Sequence, residues 1–99
     1  MALVTTPWNV QDFLQTPEDC AAYVQAALDE AGDDAAFVVK ALGDVARSRG
    51  MAALARDVGV TREGLYRSIS ESGNPSFSTV FRLIRALGLE VKVSAAAPV

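Results

Sequence analysis

Thr61, Arg62, Glu63, Tyr66, Arg67 and Ser70 stand within ten residues of one another, and their spacing lets several of them share one side of a short helix. Each guanidinium carries a donor fork that matches O6 and N7 of guanine, and Glu63 can accept from a cytosine amino group. A good bidentate contact of this kind discriminates between bases by roughly 1–3 kcal/mol. Tyr66 can stack on a sugar or hydrogen-bond a phosphate. Ser72, Gly73 and Asn74 follow as a polar loop whose N–H groups and side chains could grip phosphate, which positions a partner without reading its sequence. Plainer roles exist for the same residues: phosphate or solvent for each arginine, a helix-dipole carboxylate for Glu63, and contact with its own helix for Tyr66. Arg56, Arg82 and Arg85 could add to the positive field or be ordinary surface.

The chain contains no histidine. That excludes the common Ser-His and Cys-His nucleophile pairs and histidine-based metal sites. Its acids are scattered over helix starts, and no glycine-rich phosphate loop is present. Cys20, the single cysteine, recurs with apolar residues at helical spacing and reads as a small core residue. The sequence argues against an enzyme and points to no catalytic residue, metal or cofactor.

For the polar residues of 61–70 to act together, something must hold their helix with one face outward. Residues 51–70, MAALARDVGVTREGLYRSIS, supply it. Leu54 and Ala55 give a first helix an apolar contact face, and Ala is small enough for a second helix to cross closely. Gly59 follows Val58 where a positive φ ends the helix without a Cβ clash. Val60 is the apolar residue of the turn, and Thr61 is a good N-cap for a second helix that buries Leu65 and Ile69. The result is a short, basic-leaning helix facing outward, the shape a major groove accepts. The plain alternative is a generic helical hairpin. Gly64, in mid-helix, costs roughly 1 kcal/mol relative to Ala, which suggests close approach of a helix or of DNA backbone there.

The remaining elements follow from caps and periodicity. Thr16-Pro17-Glu18-Asp19 starts a helix in which Cys20, Val24, Ala27, Leu28 and Ala31 recur, and Gly32 closes it. Asp33 or Asp34 caps the next, with Val38, Ala41, Leu42 and Val45 as its stripe; Arg47 and Arg49 fall in its last turn and Gly50 stops it. After the turn signal Glu71–Pro75, Ser76 or Ser78 caps a further helix whose apolar contacts are Phe77, Val80, Phe81, Leu83, Ile84 and Leu87, ended by Gly88. Leu89-Glu90-Val91-Lys92-Val93 alternates as a half-buried strand does. Such a strand must pair with the N-terminal segment or with the same strand of a second copy; a helix running on from Gly88 is the alternative. Ser94 to Val99 reads as a tail, and Trp8 to Leu14 as an extension folding onto the core.

With 99 residues, 51% of them hydrophobic and many of those alanine, one small and mainly helical domain is expected. No apolar run approaches the roughly 20 residues of a membrane helix. MALVTTPWNV lacks the marks of a signal peptide, and one cysteine suits a reducing cytoplasm. The net charge of −3 is unevenly spread: residues 1–46 carry eight acids against Lys40, and residues 47–99 carry eight bases against four acids. A nucleic acid responds to the local field, and the basic half holds the candidate helix. The acidic half is a solvated surface or faces a basic partner.

Leu54-Ala55, Gly59-Val60-Thr61-Arg62, Leu65, Asn74-Pro75-Ser76 and Ala86-Leu87-Gly88 resemble the Xre/Cro–lambda-repressor helix-turn-helix family. More narrowly, Gly43-Asp44-Val45-Ala46-Arg47, Arg49-Gly50-Met51, the run Val60 to Ser68, and Gly73-Asn74-Pro75-Ser76-Phe77 resemble the probable addiction-module antidote proteins, as do Thr16–Asp19 and Ala21-Ala22-Tyr23. The resemblance covers about residues 10–93. It implies an antitoxin that represses its own toxin–antitoxin operon and neutralises a small RelE/ParE-like toxin. It carries family DNA contacts onto Thr61, Arg62, Glu63 and Arg67. Met51 stands where Xre-type domains often place Gln, Ser68 where an apolar residue is common, and the expected strand replaces the usual fifth helix.

The expected fold is therefore mainly α: a small helical bundle with a lambda-repressor-like helix-turn-helix and a short C-terminal β-strand. Residues 1–32 would form an N-terminal extension and helix, 33–88 an Xre-like core, and 89–99 the strand and tail. The expected partners are operator duplex DNA, the toxin and a second copy of the chain, with no membrane. Two other functions fit the same residues: a stand-alone transcriptional repressor, and a protein-interaction module whose helix-turn-helix no longer binds DNA.

Overall fold

A computed structural model describes residues 13–70 and 74–96. In chain order its helices are α1 (Pro17–Ala31), α2 (Ala35–Arg49), α3 (Met51–Val58), α4 (Arg62–Ser68) and α5 (Phe77–Ala86).

Local chemistry fixes most of the boundaries. At the start of α1, Thr16 Oγ1 accepts from the Asp19 N–H at 3.1 Å while Asp19 Oδ2 accepts from the Thr16 N–H at 3.2 Å. This reciprocal box satisfies two donors that the first turn would otherwise leave unpaired. Asp34, rather than Asp33, caps α2 by accepting from the Phe37 N–H. Ser76, rather than Ser78, caps α5 by accepting from the Thr79 N–H at 3.1 Å. Gly50, between α2 and α3, has φ 98°, so the chain turns from one helix into the next with no intervening loop.

The core is the set of apolar stripes these helices bring together: Cys20 and Val24 of α1, Leu42, Val45 and Ala46 of α2, Met51, Leu54, Ala55 and Val58 of α3, Leu65 and Ile69 around α4, and Leu83 and Leu87 of α5. Cys20 is fully buried, as its place on the apolar stripe implied. α1 lies on α2, and α3 touches α2, α4 and α5, so α3 is the element that joins the two halves. Across the α1–α2 contact, Tyr23 Oη donates to Asp44 Oδ2 at 2.6 Å. Asp44 also pairs with Lys40 at 3.8 Å and Arg47 at 3.6 Å. Burial, with the hydrogen bond and negative charge of Asp44, pushes the Tyr23 phenol from its ordinary 10.0 up to about 12.

The structure corrects three expectations. Leu89–Val93 is not a strand; among the described residues no strand forms, and none of residues 90–96 makes a backbone hydrogen bond. Alternation specifies which side chains share a face, but a strand also needs a hydrogen-bonded neighbour, and residues 90–96 have none among the described residues. Phe77 and Phe81 do not serve the core: they are 79% and 41% exposed and stack on each other with ring centroids 6.0 Å apart. Leu83 and Leu87 already fill the interior, and one turn-spaced stripe on so short a helix leaves the Phe pair on the flank. Leu28 likewise stays 51% exposed. Of the expected N-terminal extension, Leu14 is buried, while Trp8 to Asp12 lie outside the described residues.

Candidate nucleic-acid interface

The polar face of α4 is built from the turn that precedes it. α3 ends at Val58, and Gly59 takes the left-handed conformation (φ 88°, ψ 30°) with its N–H donating to the Ala55 carbonyl at 2.9 Å. The Val60 N–H donates to the same carbonyl at 3.0 Å. A residue with a Cβ would be strained at Gly59, so the tight turn depends on glycine there. Thr61 Oγ1 then accepts from the Gly64 N–H at 2.9 Å and starts α4. A Cβ on Gly64 would stand 2.9 Å from that same Oγ1, so the close neighbour of Gly64 among the described residues is its own cap and not the other helix that the sequence suggested.

Leu65 is fully buried and Ile69 is 3% exposed, which locks the rotation of α4 about its own axis. Arg62, Glu63, Tyr66 and Arg67 consequently face outward. The Arg62 guanidinium lies over the Tyr66 ring at 5.6 Å. Neither arginine nor Glu63 forms an ion pair among the described residues, so their hydrogen-bonding groups are presented to solvent.

The other expected site residues fall differently. The Thr61 hydroxyl is engaged as the cap. The Ser70 hydroxyl donates to the Arg67 carbonyl at 2.9 Å, closing the end of α4. Asn74 is exposed just ahead of α5, and Ser72 lies outside the described residues. Met51, where Xre-type domains often carry Gln, is buried at the start of α3. Arg85 reaches over the Phe81 ring at 5.9 Å, and Arg56 is exposed.

Arg82 has a role that its charge alone did not reveal. Its Nη1 donates to the Val58 carbonyl at 3.4 Å, so α5 holds the last turn of α3 at the point where the chain enters the turn. Arg49 Nη1 reaches the Leu87 carbonyl at 3.5 Å in the same manner at the end of α5. Both are cations at helix C-termini, where the dipole favours them. The Arg62–Tyr66 contact lies within α4, where the sequence allowed Tyr66 a contact with its own helix, whereas the two arginine clamps span 24 and 38 residues and carried no local signal.

Comparison with known proteins gives the family of the chain. The family model described as "Probable addiction module antidote protein" matches residues 4–95, nearly the whole chain. The chain belongs to that family. It is also similar to an uncharacterized protein of Haemophilus influenzae (strain Rd), with 41% identity over 86 residues, 87% of each chain. No solved structure matches. The antidote of an addiction module acts on a toxin, so family membership implies a toxin partner in general terms. The matched span includes all of α1 to α5, so the exposed face of α4 lies on the family's common body. None of these helices is long and apolar enough to cross a membrane.

Proposed function

We propose that this antidote protein is a non-catalytic, Xre-type DNA-binding antitoxin. It reads its own operator with α4 as a two-fold dimer, represses the operon, and neutralises a RelE/ParE-like toxin. The observation that carries the DNA-reading part is the fixed rotation of α4. Leu65 and Ile69 are buried, and Arg62, Glu63, Tyr66 and Arg67 are aimed outward with no ion pair among the described residues to compete for them. The geometry of a short helix held by a tight turn against a preceding helix suits a major groove. The family match supports a toxin partner in general, and the RelE/ParE class rests on the residues that resemble the antidote proteins.

A gel-shift titration tests the reading, using duplex from upstream of the chain's own gene against a scrambled duplex at two salt concentrations. The expected result is tight, sequence-preferring binding that weakens steeply with salt, because phosphate contacts release counterions. Equal or absent binding to both duplexes would overturn DNA reading and leave a protein-interaction role.

A further inference from the structure

We infer that Leu89–Val93 is an interface with a second copy of this chain, formed as an antiparallel two-stranded ribbon centred on Val91. This names the contact for the dimer invoked above, and its test needs no DNA, so either can fail alone. The first observation is that, among the described residues, none of 90–96 makes a backbone hydrogen bond. A segment with open donors and acceptors is a template for another strand. The second is that its apolar side chains are only half accommodated. Leu89 packs on the core, Val91 is 53% exposed and Val93 is 92% exposed. Leu89, Val91 and the intervening Glu90, with Lys92, line a mostly apolar groove of about 510 Å³ between α1 and α5, along with Phe77 and Phe81.

The occupant follows from self-complementarity. An antiparallel pair with its two-fold axis at Val91 sets Leu89 opposite Val93 of the second copy and Val91 opposite itself, so every pair on that face is apolar. On the other face Glu90 stands opposite Lys92 of the second copy, and Lys92 opposite Glu90, so both pairs are opposite in charge. Shifting the centre by one residue to Glu90 puts two carboxylates face to face, and shifting it to Lys92 puts two ammonium groups face to face. The charges therefore exclude both one-residue shifts, and of the remaining registers only the one centred on Val91 gives two opposite-charge pairs. Glu90 and Lys92 side chains are 75% and 82% exposed and pair with each other at 3.4 Å within the chain, a pair that the ribbon would exchange for two between copies. In this register Val93 of the second copy arrives beside Leu89, on the groove side, and covers apolar surface that one chain leaves open.

Two sets of variants test the inference in the full chain without DNA. Opposed residues of an antiparallel ribbon have Cα atoms about 4.5–5.5 Å apart, within disulfide reach. Val91→Cys is therefore expected to cross-link two copies under mild oxidation. Val93→Cys, though more exposed, is expected to stay monomeric on a non-reducing gel, since its equivalents lie about 14 Å apart in this register. The native Cys20 is fully buried and silent. In sedimentation equilibrium, Glu90→Lys and Lys92→Glu are each expected to weaken dimerisation about tenfold or more, and the double exchange to restore it. A wild-type monomer at every concentration, cross-linking through Val93→Cys, no cross-linking through Val91→Cys, or a double exchange as weak as its singles would each overturn it.

Discussion

Tyr23 Oη donates to Asp44 Oδ2 at 2.6 Å, a side-chain bond that crosses from α1 to α2 beside their apolar contact. The two residues are 21 positions apart, and the bond joins a phenol to a carboxylate that two cations, Lys40 and Arg47, already hold. Replacing Tyr23 with Phe removes the donor while leaving Asp44 with its ion pairs. The expected loss is about 1 kcal/mol in urea denaturation, the scale of a single partly exposed hydrogen bond.

Burial of the Tyr23 phenol, together with that bond and the charge of Asp44, gives the fold an alkaline limit. The folded phenol titrates at about 12 and the unfolded one near 10.0, so the native state holds its proton more tightly. Its contribution is fully present below pH 10 and is lost as pH rises from about 10 to about 12. Stability should fall across that window by at most about 1.4 kcal/mol per pH unit, reduced by the solvent that reaches this half-buried ring. Denaturation midpoints measured from pH 9 to 12 should show the slope in the native chain and lose it in Tyr23→Phe.

Leu65 is the residue that holds α4 in place. Truncation to Ala removes a fully buried side chain at the meeting point of α3 and α4. A destabilisation of about 3 kcal/mol is expected, from lost transfer energy plus the cavity left behind. Thermal unfolding followed by circular dichroism checks this; a change under 1 kcal/mol would mean that α4 is not anchored as described.

Thr61 and Gly64 are coupled through the cap hydroxyl. Thr61→Ala should cost about 1 kcal/mol. Gly64→Ala alone should be nearly neutral, since the gain of about 1 kcal/mol in helix propensity is offset when its Cβ, 2.9 Å from Thr61 Oγ1, displaces the cap. In the Thr61→Ala background there is no cap left to displace, and Gly64→Ala should then stabilise. A double-mutant cycle measures the difference, and additivity would show that the two do not interact.

Arg62 and Arg67 can be removed without touching the core, because both are exposed. The double Ala variant should keep its melting temperature and lose specific operator binding. Single variants then separate base reading from phosphate contact: an arginine on a base edge costs about 1–3 kcal/mol and relaxes specificity at one position, whereas one on phosphate weakens all sequences alike and lowers the salt slope by about 1. Unchanged operator affinity in the double variant would mean that α4 is not the reading helix.

The parts of this structure legible in sequence are those decided within a few residues. Thr16, Thr61 and the glycines after Ala31, Arg49 and Val58 announced helix limits through capping and backbone freedom, which need no knowledge of the rest of the chain. The split of α4 into buried Leu65 and outward Arg62, Glu63, Tyr66 and Arg67 was legible for the same reason, since helical spacing fixes it. Choices between adjacent caps, Asp33 or Asp34 and Ser76 or Ser78, were not, because both side chains are competent and the entry angle of the chain decides. The Tyr23–Asp44 bond and the Arg82 and Arg49 clamps depend on how helices cross, which periodicity does not encode. Phe77 and Phe81 look like core residues in a one-dimensional pattern, and only the crowded interior supplied by Leu83 and Leu87 shows that they are surplus to it.

The reach of Arg82 from α5 to the Val58 carbonyl means that the stretch from Met51 to Ser70 is not a portable cassette. Its last α3 turn is held by a side chain from a later helix, and that helix is in turn fastened by Arg49 from an earlier one. Grafted onto another scaffold, the stretch would bring its turn and its arginines but leave behind both fasteners. Fraying at the end of α5 would also be felt at the turn before α4. Anything that grips or releases α5, some distance from the outward arginines, thereby has a mechanical lever on the angle at which they are held out.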